Sequence, residues 1–185
     1  MKKIILFAAA AFVALSASAQ TPKFAHVNFN ELIMLTPAAD SARTKLALIQ
    51  KENEETYNSM YQEFQTKYQQ YEQKKDTWTP TILANKEKEL SDIQQRLQEF
   101  GQSASQDLQQ MQSQLMAPIQ QKAMDVVNKL AKAGGYIYVF EQGSLLYIDA
   151  AQSKDLTPEA RKALGIPEGR TLESLQQELQ AQQAQ

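Results

Sequence analysis

Between Ser41 and Lys75 the larger apolar side chains sit at Leu46, Ile49, Tyr57, Met60, Tyr61, Phe64, Tyr68 and Tyr71, with Trp78 just beyond. The intervals are threes, fours and their sums, the repeat of one helix face. Tyr57, Phe64, Tyr71 and Trp78 stand seven residues apart and line a single stripe, while Tyr61 and Tyr68 follow Tyr57 and Phe64 by four. After Pro80 a second stripe begins: Leu83, Leu90, Leu97, Ala104 and Met111 are again seven apart, with Ile93 and Phe100 at the alternate seam positions. The pattern predicts two long helices meeting as an antiparallel, coiled-coil-like hairpin over 41–118. Thr79 supplies a cap and Pro80 a first-turn residue that needs no amide hydrogen, so the tip falls near 77–80. Folding the chain there sets Phe64 against Ile93, Tyr57 against Phe100 and Leu46 against Met111. At 1.5 Å per residue a helix of about 38 residues reaches ~57 Å, well beyond any body that the remaining residues can build.

The flanks carry a different pattern. Lys23 to Phe29 alternates as a strand does, and Asn30 is placed to cap a short helix through Leu35. Thr36-Pro37 restarts the chain as the outgoing helix. The returning helix continues through Ile119, Val126, Val127 and Leu130, with a kink expected at Pro118 and a stop at Gly134-Gly135. Two apolar segments follow, Tyr136 to Phe140 and Leu145 to Ile148, joined by Glu141-Gln142-Gly143-Ser144, which reads as a hairpin connection. Thr157-Pro158 is placed to cap a last short helix ending near Leu164-Gly165, and the Gln-rich tail, 166–185, is expected to fray or to form a weak extra helix. The fold class is therefore α+β: a small β-strand body assembled from 20–40 and 119–165, carrying one long antiparallel helical hairpin. Three short strands with open edges make a poor core for a single copy, which favours an oligomer. The residues placed to join its copies are Phe24, Val27, Phe29, Tyr136, Tyr138, Phe140, Leu146 and Ile148.

Composition narrows the setting. Met1-Lys2-Lys3 is basic, Ile4 to Leu15 is apolar, and Ala17-Ser18-Ala19 supplies small residues, which together read as a secretory signal peptide over 1–19, cleaved before Gln20. The apolar run is too short to span a membrane. The chain has no cysteine, which excludes disulfides, thiolate metal sites, thiol nucleophiles and a thioether lipid anchor. Loss of the leader removes Lys2 and Lys3 and leaves 17 basic against 21 acidic side chains. That balance lacks the footprint of a nucleic-acid partner and lends no support to contact with a membrane surface. The lone histidine, His26, lies on a strand, there is no Gly-rich phosphate loop, and the acids fall on amphipathic helices. No enzymatic centre, metal or cofactor is expected.

Two roles fit the arm. Its rings either pack the hairpin seam or present apolar surface to a non-native polypeptide, since an amphipathic ring binds varied sequences while staying soluble. Met60, Tyr61, Phe64, Tyr68, Tyr71 and Trp78 are the candidates for the second role, with Tyr61 and Tyr68 off the seam. Asn53, Lys67 and Lys74 interrupt the seam and point to a splayed arm, whereas the Lys86 to Glu89 run alternates in sign as a solvated face does. The alternative is a passive coiled-coil scaffold or spacer of the cell envelope, which would want fully paired seams and a polar exterior.

The layout as a whole is distinctive: leader, a strand with Val27-Asn28, a long helical hairpin, then GGYIYVFEQGSLLYIDAAQSKDLTPEARKALG. The junction Gly135-Tyr136, the segment Tyr147-Ile148-Asp149 and the step Asp155-Leu156-Thr157 occur in that order. From Lys23 to about Gly165 the chain resembles the OmpH/Skp family of periplasmic chaperones. The resemblance implies a jellyfish-like homotrimer whose strands form a central body. It also implies three arms around a cavity in which unfolded outer-membrane proteins are held without nucleotide. The family's basic, lipopolysaccharide-binding cluster finds no counterpart on this acidic chain, and the tail after Gly165 is an addition to the family layout.

Overall fold

Strand β1 (Lys23–Val27) leads into helix α1 (Phe29–Met34), and α2 (Pro37–Lys74) then runs out as one helix of 38 residues. The computed structural model describes residues 22–183; the expected leader, its cleavage point and the last two residues lie outside them. Thr36 starts α2 by accepting a hydrogen bond at Oγ1 from the Ala39 amide, 3.2 Å away, with Pro37 in the first turn. The same device restarts the chain at the tip. After a 3-10 turn over Lys75–Thr77, Thr79 Oγ1 accepts from the Ile82 amide at 3.4 Å and α3 (Pro80–Gly134) returns. Ion pairs from Lys67 to Glu89 and from Arg96 to Glu63 cross the hairpin and bracket the expected Phe64–Ile93 pairing.

The returning helix has 55 residues against 38 in α2, and the sheet explains the excess. β2 (Tyr136–Glu141) pairs parallel with β1, Phe24 opposite Tyr138 and His26 opposite Phe140. Parallel neighbours need a crossover, so the chain must travel back along β1 before β2 can begin. The last turns of α3 make that journey and pack Ala123 and Val127 with Val27, Leu32 and Leu35. The helix is continuous through Pro118, which is exposed, so water can serve the carbonyl that the proline leaves without a donor. Gly135 ends it at φ +67°, a left-handed cap that favours glycine, and Gly134 lies against the Tyr136 ring where a Cβ would collide.

The third strand corrects an expectation. The hairpin between Tyr136–Phe140 and Leu145–Ile148 does not form. Gln142–Ser144 is a 3-10 turn, Leu145 to Ile148 is not a strand, and β3 is Ser153–Asp155 on the opposite side of β1. A hairpin would need antiparallel neighbours, but β3 also runs parallel to β1. It is held there by His26 Nδ1 against Ser153 Oγ at 2.9 Å and by the Leu156 amide donating to the His26 carbonyl at 2.9 Å. Leu146 and Ile148 thus lie in a connection rather than in the sheet. Phe29, expected on a strand, opens α1 and donates its amide to Glu141 Oε2 at 2.8 Å.

Two caps also move. Asn28 rather than Asn30 caps α1, its Oδ1 accepting from the Glu31 amide at 3.0 Å. Thr157 makes no cap for α4 (Thr157–Leu164); its hydroxyl instead accepts from the Asn28 amide at 3.0 Å and ties α4 to the start of α1. The tail does not fray as far as residue 183: α5 (Leu172–Gln183) is a helix whose Leu175 is buried in the body.

The core gathers Val27, Leu32, Leu35, Ala123, Val127, Ala160, Leu164, Ile166 and Leu175. Arg161 seals its edge, pairing with Glu31 and donating to the carbonyls of Pro167 at 3.1 Å and Arg170 at 2.7 Å. Leu32→Ala should lower stability by about 2–5 kcal/mol through lost burial and the cavity left behind. Denaturant unfolding followed by circular dichroism measures this, and the exposed Leu48→Ala should shift it by less than about 0.5 kcal/mol.

Candidate functional site on the arm and the open sheet face

Along α2 the rings stack in successive pairs one helical turn apart. Tyr57 lies on Tyr61 with centroids 6.5 Å apart and planes 7° from parallel, and Phe64 lies on Tyr68 at 6.0 Å and 20°. Nearer the tip, Tyr71 meets Trp78 at 6.1 Å and 56°. Met60, Phe64, Tyr71 and Trp78 are half-buried, whereas Tyr61 and Tyr68 stay 44% and 47% exposed. Tyr57, expected opposite Phe100 in the seam, is 41% exposed and belongs with Tyr61 on the outer ladder. Its i, i+4 spacing to Tyr61 was the signal in the sequence. The buried part of the seam is carried by Ile93 and Leu97 of α3.

At Lys67 the polar seam position ties the two helices together instead of splaying them. Lys67 pairs with Glu89 across the arm and lies 3.8 Å from Glu63 on its own helix, Lys86 reaches Glu89 at 2.8 Å, and Arg96 reaches Glu63 at 3.8 Å. The hydrogen bond from Lys67, followed by that from Lys86, holds the Glu89 carboxyl down to about 2. The same bond raises Lys67 above its ordinary value. Tyr71 donates its hydroxyl to Glu87 Oε1 at 2.9 Å, and the carboxylate raises the phenol's pKa. These contacts set helix register at positions where an apolar seam would have left it free to slip.

The two faces of the sheet differ. Ala25, Val27 and Val139 face the helices, while Phe24, Tyr138 and Phe140 form an aromatic cluster on the other side. Phe24 and Tyr138 stack at 6.4 Å, and Phe140 lies 5.9 Å from Tyr138 and 6.5 Å from Phe24. Tyr138 is 60% exposed, and Leu146 and Tyr147 in the connection to β3 are exposed as well. Of the residues expected at a junction between copies, Val27 is buried in its own chain's core and has no area left for a partner. Phe29 is half-buried against the same core, and Tyr136 and Ile148 are half-buried. The sequence reading missed Ile137 and Tyr147, both exposed in this region.

His26 is spent in joining β1 to β3. Among the described residues no group of His, Asp or Glu is placed to hold a metal ion, and no helix is long and apolar enough to cross a membrane.

Because the folded Glu89 carboxyl titrates below its ordinary value of 4.5, its contribution is present above that value and is lost as pH falls toward about 2. Glu89→Gln should therefore loosen the arm at neutral pH, by no more than about 1 kcal/mol given solvent screening. Amide exchange along α2 and α3 reads this out, and wild type and variant should converge at the acid end.

In sequence, residues 23–164 match the family described as Outer membrane protein (OmpH-like). No curated protein matches the chain. Among solved structures, the fold is similar to that of an OmpH-like protein from Caulobacter crescentus CB15 that has been proposed to be an outer membrane chaperone. The TM-score is 0.69 at 12% identity, over 80% of this chain and 86% of that one. The match spans β1, the whole arm, the three-stranded sheet and α4, with α5 and its approach beyond it, and on that ground the chain belongs to the OmpH-like family, a family of chaperones and not of enzymes.

Proposed function

We propose that this protein is a nucleotide-independent holdase of the periplasm, which keeps unfolded outer-membrane proteins from aggregating by enclosing them among the helical arms of a homotrimer. The observation that carries the reading is the ladder of Tyr57, Tyr61 and Tyr68, exposed on an arm whose inner side is already closed by Ile93, Leu97 and the Lys67–Glu89 pair. A purely structural coiled coil has no need of rings on its outer face, and Tyr57 stacked on Tyr61, followed by Tyr68 stacked on Phe64, makes an interrupted apolar strip with polar tips. An unfolded barrel strand alternates apolar and polar side chains and aggregates edge to edge. It can lie on such a strip without a specific sequence, through contacts that are individually weak and quickly exchanged.

Weak contacts hold a chain only when many act together. The open face of Phe24, Tyr138 and Phe140 supports assembly, since an apolar sheet face of this kind is normally covered. Three arms tethered to one body raise the effective concentration of each at the client, which multiplies affinity without new contacts. The expected leader accounts for delivery to the compartment where such clients pass.

The direct test dilutes a urea-unfolded outer-membrane barrel into buffer with and without the protein, no nucleotide added, and follows light scattering beside the mass of the complex. Suppression of scattering with a defined complex is expected; scattering equal to the control rejects the reading. Tyr61→Ser with Tyr68→Ser should weaken holding while helicity and assembly mass stay unchanged. Tyr138→Glu should dissociate the assembly, seen by mass photometry, and reduce holding by about 100-fold or more as multivalency is lost.

A further inference from the structure

The helix α5 lies beyond the segment shared with the family, residues 23–164, yet it is built into the arm's root. It starts with a reciprocal cap: Thr171 Oγ1 accepts from the Ser174 amide at 3.1 Å, and Ser174 Oγ accepts from the Thr171 amide at 3.0 Å. Leu175 is buried with Leu32, Leu35 and Val127, while Leu172 and Leu179 pack at the edge of that core. Just before the helix, Arg170 donates to Asp40 in the first turn of α2 at 2.7 Å and to Glu178 of α5 at 3.4 Å. Its own carbonyl is held by Arg161 of α4 at 2.7 Å. Asp40 also takes Arg43, whose second terminal nitrogen donates to the Met34 carbonyl at 3.0 Å. One run of charged contacts therefore joins α4, α5 and the base of the arm. Beyond it a groove of about 600 Å³ separates Leu46 and Leu108 on the arm from Leu179 and Gln182 on α5.

We propose that α5 is a brace that limits how far the arm leans from the body, with Arg170 as its positioning residue. Lean in one direction closes the groove until Leu46 and Leu108 meet Leu179. Lean in the other strips Arg170 from Asp40. The lever is long: over ~57 Å of helix, a lean of about 10° at the root carries the tip about 10 Å. Stops at Asp40 and Leu46, in the first three turns of α2, thus control the spacing of the tips. That α5 thereby sets how wide a client the arms admit rests on the holdase reading; the restraint on the arm does not.

The experiment measures the restraint without any client. The chain has no cysteine, so Gln73→Cys near the tip and Lys162→Cys on α4, both exposed, accept a donor and an acceptor dye in the full-length protein. Doubly labelled chains are diluted into unlabelled ones so that each assembly reports one arm by single-molecule energy transfer. Against this background Arg170→Met and Leu179→Asp are compared with wild type, singly and together, while amide exchange over Leu172–Gln183 reports whether α5 has left its seat. Leu175 keeps its side chain, and protection over Lys23–Val27 and Tyr136–Glu141 in the same exchange data shows that the body stays folded when α5 leaves. Loss of protection in α5 with a tip-to-body distribution broadened by about 10 Å, the travel of a 10° lean, is the expected result. Loss of protection with an unchanged distribution overturns the brace, and retained protection in the double variant overturns the role given to Arg170. Because no client is present, failure of the holding assay leaves this result standing, and the reverse is equally true.

Discussion

An arm of two helices cannot stabilise itself, and the structure depends on how that deficit is met at its root. Most seam side chains are only half-buried between two helices, contributing roughly 1 kcal/mol each, whereas ordering a residue's backbone costs about 1–2 kcal/mol before helix hydrogen bonds offset it. Beyond the first turns of α2, Ile93 and Leu97 are the buried side chains of the arm among the described residues. Both arm helices therefore enter the body without slack: Leu35 and Thr36 are buried where α1 gives way to α2, and α3 runs unbroken from the tip into the core at Ala123 and Val127. The root is anchored because it is core, and any lean there is amplified toward the tip.

Parallel pairing strengthens that arrangement. β1 delivers the chain to the arm and β2 receives it, and the two strands are hydrogen-bonded neighbours. The whole arm is a crossover between them, so its two ends are locked together by the ladder as well as by side chains. The same topology leaves Tyr138 and Phe140 exposed on the other sheet face, since the crossover helix covers the side of Ala25, Val27 and Val139. The Phe24, Tyr138 and Phe140 cluster follows from placing a single layer of helices on a three-stranded sheet.

On the arm, charge and ring residues divide the work. Lys67, which interrupts the apolar stripe, ties the helices together through Glu89, and Arg96 does so through Glu63. With register held by these pairs, rings such as Tyr57 and Tyr61 are released from the seam to the surface. Their i, i+4 stacking covers part of each ring and orders the pair, so that it offers a fixed patch rather than scattered rings.

Sequence by itself determined the long elements of this protein. The heptad stripes, the Thr36-Pro37 and Thr79-Pro80 starts, the tip and the Gly134-Gly135 stop are local or strictly periodic signals, and each acts over a turn or two of helix. The hairpin register was legible around Phe64 and Ile93, which the Lys67–Glu89 and Arg96–Glu63 pairs bracket, while Tyr57 left its expected place opposite Phe100. The candidate rings were legible as a set, but their division between seam and surface was not. A stripe on one helix does not say which of its edges the second helix covers. Only the tertiary structure decided that Ser153–Asp155 rather than Leu145–Ile148 joins the sheet, that the Thr157 hydroxyl serves Asn28, and that the Gln-rich tail docks as α5. In each case the deciding partner lies far away in sequence: His26 for Ser153, Asn28 for Thr157, Asp40 for Arg170. Short apolar runs and weakly amphipathic tails have no period long enough to declare their place, and it is the contact with a distant surface that selects one.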